Sequence, residues 1–170
     1  MRKPRILIAD DHPMVREALR DLLNELGEVV GAVTDGQALV EAAQRLKPDI
    51  IISDISMPKL NGLAATHVLQ TSVPQSKVII VTSHQEPAYV TLAFNAGARG
   101  FLLKRTCLHT ELPQALLHVL AGDRYIGMGL SEEWAPVDGA EVSTWGSEPQ
   151  QIAADREAIL ASPTSSGPDV

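Results

Sequence analysis

The sequence predicts a doubly wound α/β fold on a five-stranded parallel sheet, and three observations carry that expectation. Short apolar runs alternate five times with longer stretches of helical periodicity across residues 1–126. Two runs, Ile50-Ile51-Ile52 and Val78-Ile79-Ile80-Val81, are continuously apolar rather than alternating. Strands covered on both faces read this way, as in a parallel sheet. Glycine or a lysine-proline pair follows the helical stretches where a stop is needed.

The strands are expected at residues 5–9, 29–33, 50–53, 77–81 and 100–103. The first helix, at 14–26, sets Val15, Leu19, Leu22, Leu23 and Leu26 on one face and stops at Gly27. The second, at 37–46, ends before Lys47-Pro48 because a proline disfavours helix in the residue ahead of it. Helices at 63–69, 87–95 and 111–120 complete the set, with Gly97 and Gly122 as terminators.

After Ile126 the texture changes to Gly, Pro and Ser, ending in Ser162-Pro-Thr-Ser-Ser-Gly-Pro168. The expected division is a domain over residues 1–126 and a tail over 127–170. One helix is expected in the tail, near 148–161, where Ser147-Glu-Pro-Gln150 has the capping-box form. The chain's formal net charge of −7 arises entirely in the tail. Residues 1–126 carry 13 basic and 13 acidic side chains, while 127–170 carry Arg156 against eight acids. Such a tail repels phosphate backbones, so DNA binding is not expected of it.

The single cysteine, Cys107, cannot form an intramolecular disulfide. The opening Met1-Arg-Lys-Pro-Arg5 is basic, but the apolar run behind it is four residues long and meets Asp10-Asp11. That is too short for a signal core or a membrane span, and a cytoplasmic location is expected.

Chemistry-bearing residues collect at the carboxyl ends of the expected strands. Asp10 and Asp11 follow the first strand, Asp54 the third, Thr82 the fourth and Lys104 the fifth. Ligands of open α/β sheets bind at that edge, where the strand order reverses. In a 2-1-3-4-5 order the reversal lies between the first and third strands, so three carboxylates meet there. Clustered carboxylates raise one another's pKa unless a cation holds them ionised. Hard oxygen ligands with room for water suit Mg²⁺. A carboxylate can also act as a nucleophile and form an aspartyl-phosphate. The Lys104 ammonium and the Thr82 hydroxyl would then face the phosphoryl oxygens. His12 beside the acids reads as a solvated loop residue, and His67, His84, His109 and His118 lack ligand spacing.

Four segments resemble the receiver domains of two-component response regulators, over roughly residues 4–126. They are Asp10-Asp11-His12-Pro13, Pro48-Asp-Ile-Ile-Ile-Ser-Asp54-Ile-Ser-Met57-Pro58-Lys-Leu-Asn-Gly62, Val81-Thr82-Ser83 and Gly97-Ala-Arg-Gly100-Phe101-Leu-Leu-Lys104. The first and last look most like the NarL/FixJ type. The resemblance implies a flavodoxin-like fold and a set of roles. Asp54 accepts a phosphoryl group from a histidine kinase, and the output is a contact with a downstream protein or a second copy. Asp11 binds Mg²⁺ directly, Asp10 binds it through water, and the Ser56 backbone carbonyl adds a ligand. Lys104 contacts the phosphoryl group, and Thr82 and Phe101 form the switch. The sequence departs from the pattern at Ser53, usually a larger apolar residue, and at Arg105, which stands where proline is common.

Three rival readings are weaker. Hydrolases of the haloacid-dehalogenase type carry Asp-x-Asp, but the second position here is Ser56. A NarL/FixJ-type transcriptional regulator needs a helix-turn-helix of several helices, so this tail would hold only a truncated or degenerate module. A nucleotide-binding protein needs a glycine-rich phosphate loop after the first strand, and none is present.

Overall fold

The computed structural model describes residues 2–130 apart from Cys107. The tail helix expected near 148–161, together with Trp134, Trp145 and Cys107, lies outside the described residues.

Strands and helices alternate strictly along the chain. They are β1 (Arg5–Ala9), α1 (Pro13–Leu26), β2 (Glu28–Val33), α2 (Gly36–Leu46), β3 (Ile50–Ser53), α3 (Gly62–Ser72), β4 (Lys77–Thr82), α4 (Pro87–Ala96), β5 (Gly100–Leu103), α5 (Leu108–Leu120) and β6 (Tyr125–Ile126). All strand pairs are parallel, in the order β2-β1-β3-β4-β5-β6. The five expected strands and their 2-1-3-4-5 order are present, but the sheet has six strands rather than five. Tyr125 and Ile126 pair with Gly100 and Phe101, and the Gly127 N–H donates to the Phe101 carbonyl. A two-residue strand is too short to show any periodicity, which is why sequence pattern passes over it.

Alternation along the strands divides the core in two. Leu7, Ile51, Ile80, Phe101 and Leu103 face one way, against α2, α3 and α4. Ile6, Ile8, Ile50, Ile52, Ile79, Val81 and Leu102 face the other, against α1 and α5. Both faces of the central strands are thus covered, and their continuous apolar runs follow. Fully burying each such isoleucine or leucine contributes about 1.5–3 kcal/mol. Of the expected α1 face, Leu19 and Leu23 are buried, while Val15, Leu22 and Leu26 pack at its margin.

The ends of the helices follow local chemistry. Pro13 and Pro87 open α1 and α4, where a missing N–H costs nothing. Asp35 and Asn61 cap α2 and α3 by accepting from the N–H groups of Ala38 and Ala64. Gly97 ends α4 at φ 107°, a conformation that favours glycine. The last helix begins three residues before the expected start at Glu111 and carries Pro113 within it. Packing of the segment against the sheet outweighs the one backbone donor that the proline removes. Among the described residues no helix is long and apolar enough to cross a membrane.

Candidate functional site

Strand ends bring the polar residues together. The Asp54 N–H donates to the Ala9 carbonyl and the Lys104 N–H to the Thr82 carbonyl, so the sheet's hydrogen bonding runs directly into the site. Asp10 and Asp54 are 1% and 4% exposed. The Lys104 side chain, 13% exposed, puts its Nζ 2.8 Å from Asp10 Oδ2 and 2.9 Å from Asp54 Oδ2. The Asp54 carboxylate is held at its other oxygen as well, since Oδ1 accepts from the Ile55 N–H at 2.7 Å.

Burial by itself would lower the Lys104 pKa. Hydrogen bonds and charges from Asp10 and Asp54 outweigh it and hold the ammonium above the usual lysine value. The peptide after Lys104 needs no proline to achieve this reach: no cis bond occurs among the described residues.

Oxygen donors of Asp10, Asp11 and Asp54, with a nitrogen of His12, all lie within 4.8 Å of one another. Lys104 pairs with Asp10 and Asp54, and Asp11 lies beside them. Asp11 Oδ1 is shut off from solvent without an aligned hydrogen bond, with the His12 ring 3.0 Å away. A buried carboxylate oxygen without a donor is costly unless a cation faces it. The donor set therefore fits a hard divalent ion.

The remaining expected residues are placed as follows. Thr82 is buried at the end of β4, where its Oγ1 accepts from the His84 N–H at 3.2 Å. It does not cap α4; Glu86 occupies that position. Phe101 is fully buried in the cluster that holds Val90 and Phe94 of α4. Ser56 lies on the loop after Asp54 with its hydroxyl hydrogen-bonded to His84 Nε2 at 2.8 Å. His12 is the cap residue of α1, with a side chain 63% exposed.

Two residues escaped the reading of the sequence. His84 spans from β4 to Ser56 beside the acid cluster and stacks on Tyr89 with ring centroids 4.3 Å apart. Its position two residues after Thr82 was the available signal. Glu111 is a carboxylate only 2% exposed. It accepts from the Thr106 hydroxyl and from the Met128 N–H, each at 2.5 Å, and so ties the segment after Lys104 to the segment after β6. An acid in register with the buried Leu112, Ala115 and Val119 was its signal.

The backbone around Ser53 and Asp54 is tightly packed. Gly62 opens α3 against the acceptor segment, and a Cβ there would meet the Asp54 carbonyl oxygen at 1.8 Å and Ser53 Oγ at 3.0 Å. The Ser53 hydroxyl instead donates to the Asp54 carbonyl at 2.9 Å.

Residues 6–116 match the family model of the response regulator receiver domain. The chain belongs to that family. It carries the receiver domain of a two-component response regulator, a signalling switch. Over 133 residues it is 36% identical to the response regulator GacA of Pseudomonas aeruginosa, an alignment covering 77% of this chain and 62% of GacA. It therefore spans less than two thirds of that relative's length. It is 39% identical over 101 residues to the chemotaxis protein CheY of Thermotoga maritima, which covers 59% of this chain and 84% of CheY. Among solved structures, the signal receiver domain of the response regulator NarL from Mycobacterium tuberculosis superposes with a TM-score of 0.68 at 33% identity. That match covers 72% of this chain and 99% of the NarL domain.

Proposed function

We propose that Asp54 is the phosphoacceptor of this receiver and that its modification switches the protein's contacts with a downstream protein or a second copy. The observation carrying this reading is the Lys104 ammonium lodged between Asp10 and Asp54 at the carboxyl edge of the sheet. A carboxylate can act as a nucleophile, and a cation beside it faces the phosphoryl oxygens it would acquire.

A histidine kinase is the donor that a receiver implies. An Asp54 oxygen attacks the phosphorus of a phosphohistidine in line. A phosphorus–oxygen bond forms, the phosphorus–nitrogen bond breaks, and its electron pair leaves with the imidazole. Asp10, Asp11, Asp54 and the Ser56 backbone carbonyl are the groups that would hold Mg²⁺. When bound, that ion supplies positive charge to the phosphoryl oxygens. Lys104 then exchanges its Asp54 contact for a phosphoryl oxygen, and the Thr82 hydroxyl turns from the His84 N–H to donate to another.

The chemical nature of the product tests this reading. Treat the protein with an acyl-phosphate donor and Mg²⁺, then map the labelled peptide before and after hydroxylamine. A label on the Asp54 peptide that hydroxylamine removes is expected. A hydroxylamine-resistant label, or one on another peptide, would show a different acceptor.

A further inference from the structure

We propose that His12 supplies a nitrogen ligand to the acid cluster, making it a site for divalent transition ions as well as for Mg²⁺. The inference rests on the reading that Asp10, Asp11 and Asp54 hold a divalent cation, and it adds a residue and an ion class to that reading.

Placement is the first ground. The His12 Nδ1 lies 3.0 Å from Asp11 Oδ1 and 3.2 Å from Asp10 Oδ1. Two ligand atoms about 2.1 Å from one ion stand about 3 Å apart at right angles and about 4.2 Å apart across it. The spread of 4.8 Å over the donors of Asp10, Asp11, His12 and Asp54 accommodates both separations once an ion draws them in. The ring is thus already at the spacing that neighbouring ligands adopt around an ion.

Local backbone structure is the second ground. The His12 N–H donates to Asp10 Oδ1 at 2.9 Å, and the His12 carbonyl accepts from the Arg16 N–H. Pro13 follows at the first position of α1 and restricts the chain further. These bonds tie the His12 backbone to the carboxylate it would share an ion with. Without an ion the ring is a hydrogen-bond partner of Asp10 and lies close to Asp11. Coordination uses the Nδ1 lone pair, with the ring proton on Nε2.

The choice of ion follows from ligand chemistry. Carboxylates, carbonyls and water suit Mg²⁺, whereas imidazole favours ions such as Ni²⁺ and Zn²⁺. Three carboxylates alone would discriminate weakly between these classes; one nitrogen shifts the balance towards the transition ions. Such an ion would occupy the space in which Mg²⁺ supports phosphorylation, and would compete with it.

The test is calorimetric titration of the full chain, free of any histidine tag, with Mg²⁺ and Ni²⁺ separately. The proteins are wild type, His12→Asn and Asp11→Asn. Asparagine is a favourable helix cap, so His12→Asn keeps α1 intact. The expected result is a Ni²⁺ affinity at least tenfold lower in His12→Asn, with Mg²⁺ affinity unchanged, and loss of both ions in Asp11→Asn. Equal weakening of both ions in His12→Asn would mean that the ring only positions Asp10, and it overturns the proposal. An unchanged Ni²⁺ affinity overturns it too. Wild-type protein that binds Mg²⁺ without favouring Ni²⁺ overturns the proposal alone. If neither ion binds, or if Asp11→Asn binds Mg²⁺ as wild type does, the metal-site reading beneath it falls as well.

Discussion

Lys104 Nζ lies 2.9 Å from Asp54 Oδ2, and this one contact joins the carboxyl ends of β5 and β3 across β4. The same nitrogen reaches Asp10 at the end of β1. The carboxyl ends of β1, β3 and β5 are thereby held to one charge. Anything that draws Lys104 towards a phosphoryl oxygen loosens that tie, which gives phosphorylation a direct mechanical consequence.

Lys104→Met should therefore strand two buried carboxylates. Breaking a buried pair costs about 3–5 kcal/mol when the remaining charge is fully enclosed, and the partial solvent access of Lys104 places its removal towards or below the low end. Chemical denaturation without divalent ions should register the loss, and added Mg²⁺ should restore part of it. The folded-state pKa of Lys104 is raised, so its contribution is complete below the unfolded lysine value of about 10.4. It should vanish as pH rises through the folded value. Stability measured between pH 7 and 9 should show no titration attributable to this residue, and Lys104→Met should remove a loss seen only above about pH 10.

Thr82→Ala separates modification from response. In the unmodified protein the Thr82 hydroxyl accepts the His84 N–H, so its loss should cost about 0.5–1.5 kcal/mol and leave the fold intact. The variant should take up phosphate yet change little in amide exchange across residues 82–105. Full switching from 1:99 to 99:1 needs about 5.5 kcal/mol of differential stabilisation, and the Thr82 hydrogen bond is part of it. Phe101 packs with Val90 and Phe94, so movement of the β4–α4 segment and of α4 should appear together. Exchange changes in Thr82→Ala equal to wild type would place the coupling elsewhere.

Glu111 is a further buried acid with a definite task. Glu111→Ala leaves the Met128 N–H without its acceptor, at about 1–3 kcal/mol, and leaves the Thr106 hydroxyl to the Leu103 carbonyl alone. Urea denaturation should show a destabilisation in that range, and Glu111→Gln, which keeps an acceptor, should lose less. Amide exchange at 127–130 should rise in the alanine variant, because that segment is fastened to α5 through this carboxylate.

Much of this arrangement could be read from the amino acids. The continuous apolar runs of β3 and β4 announced strands covered on both faces, and the acids, threonine and lysine at strand ends announced the site. What escaped was short or depended on packing. β6 is two residues long, and its pairing is decided by where α5 delivers the chain. Glu111 looked like an ordinary residue near the start of a helix because its partners, Thr106 and Met128, come from loops on either side. His84 was weighed for metal spacing, whereas its partner is the Ser56 hydroxyl, 28 residues away in sequence. Gly62 brings α3 hard against the Asp54 backbone, a closeness that no single residue reveals. Gly62→Ala should accordingly displace the acceptor segment, lowering both thermal stability and phosphate uptake.

Intact mass spectrometry of the phosphodonor-treated protein tests the central claim most directly. Wild-type protein with Mg²⁺ should gain the mass of one phosphoryl group. Asp54→Asn should gain none, and wild type in excess chelator should gain little. Asp54→Asn that still acquires the phosphoryl mass, or wild type fully modified in chelator, would contradict the assignment of Asp54 as the metal-assisted acceptor.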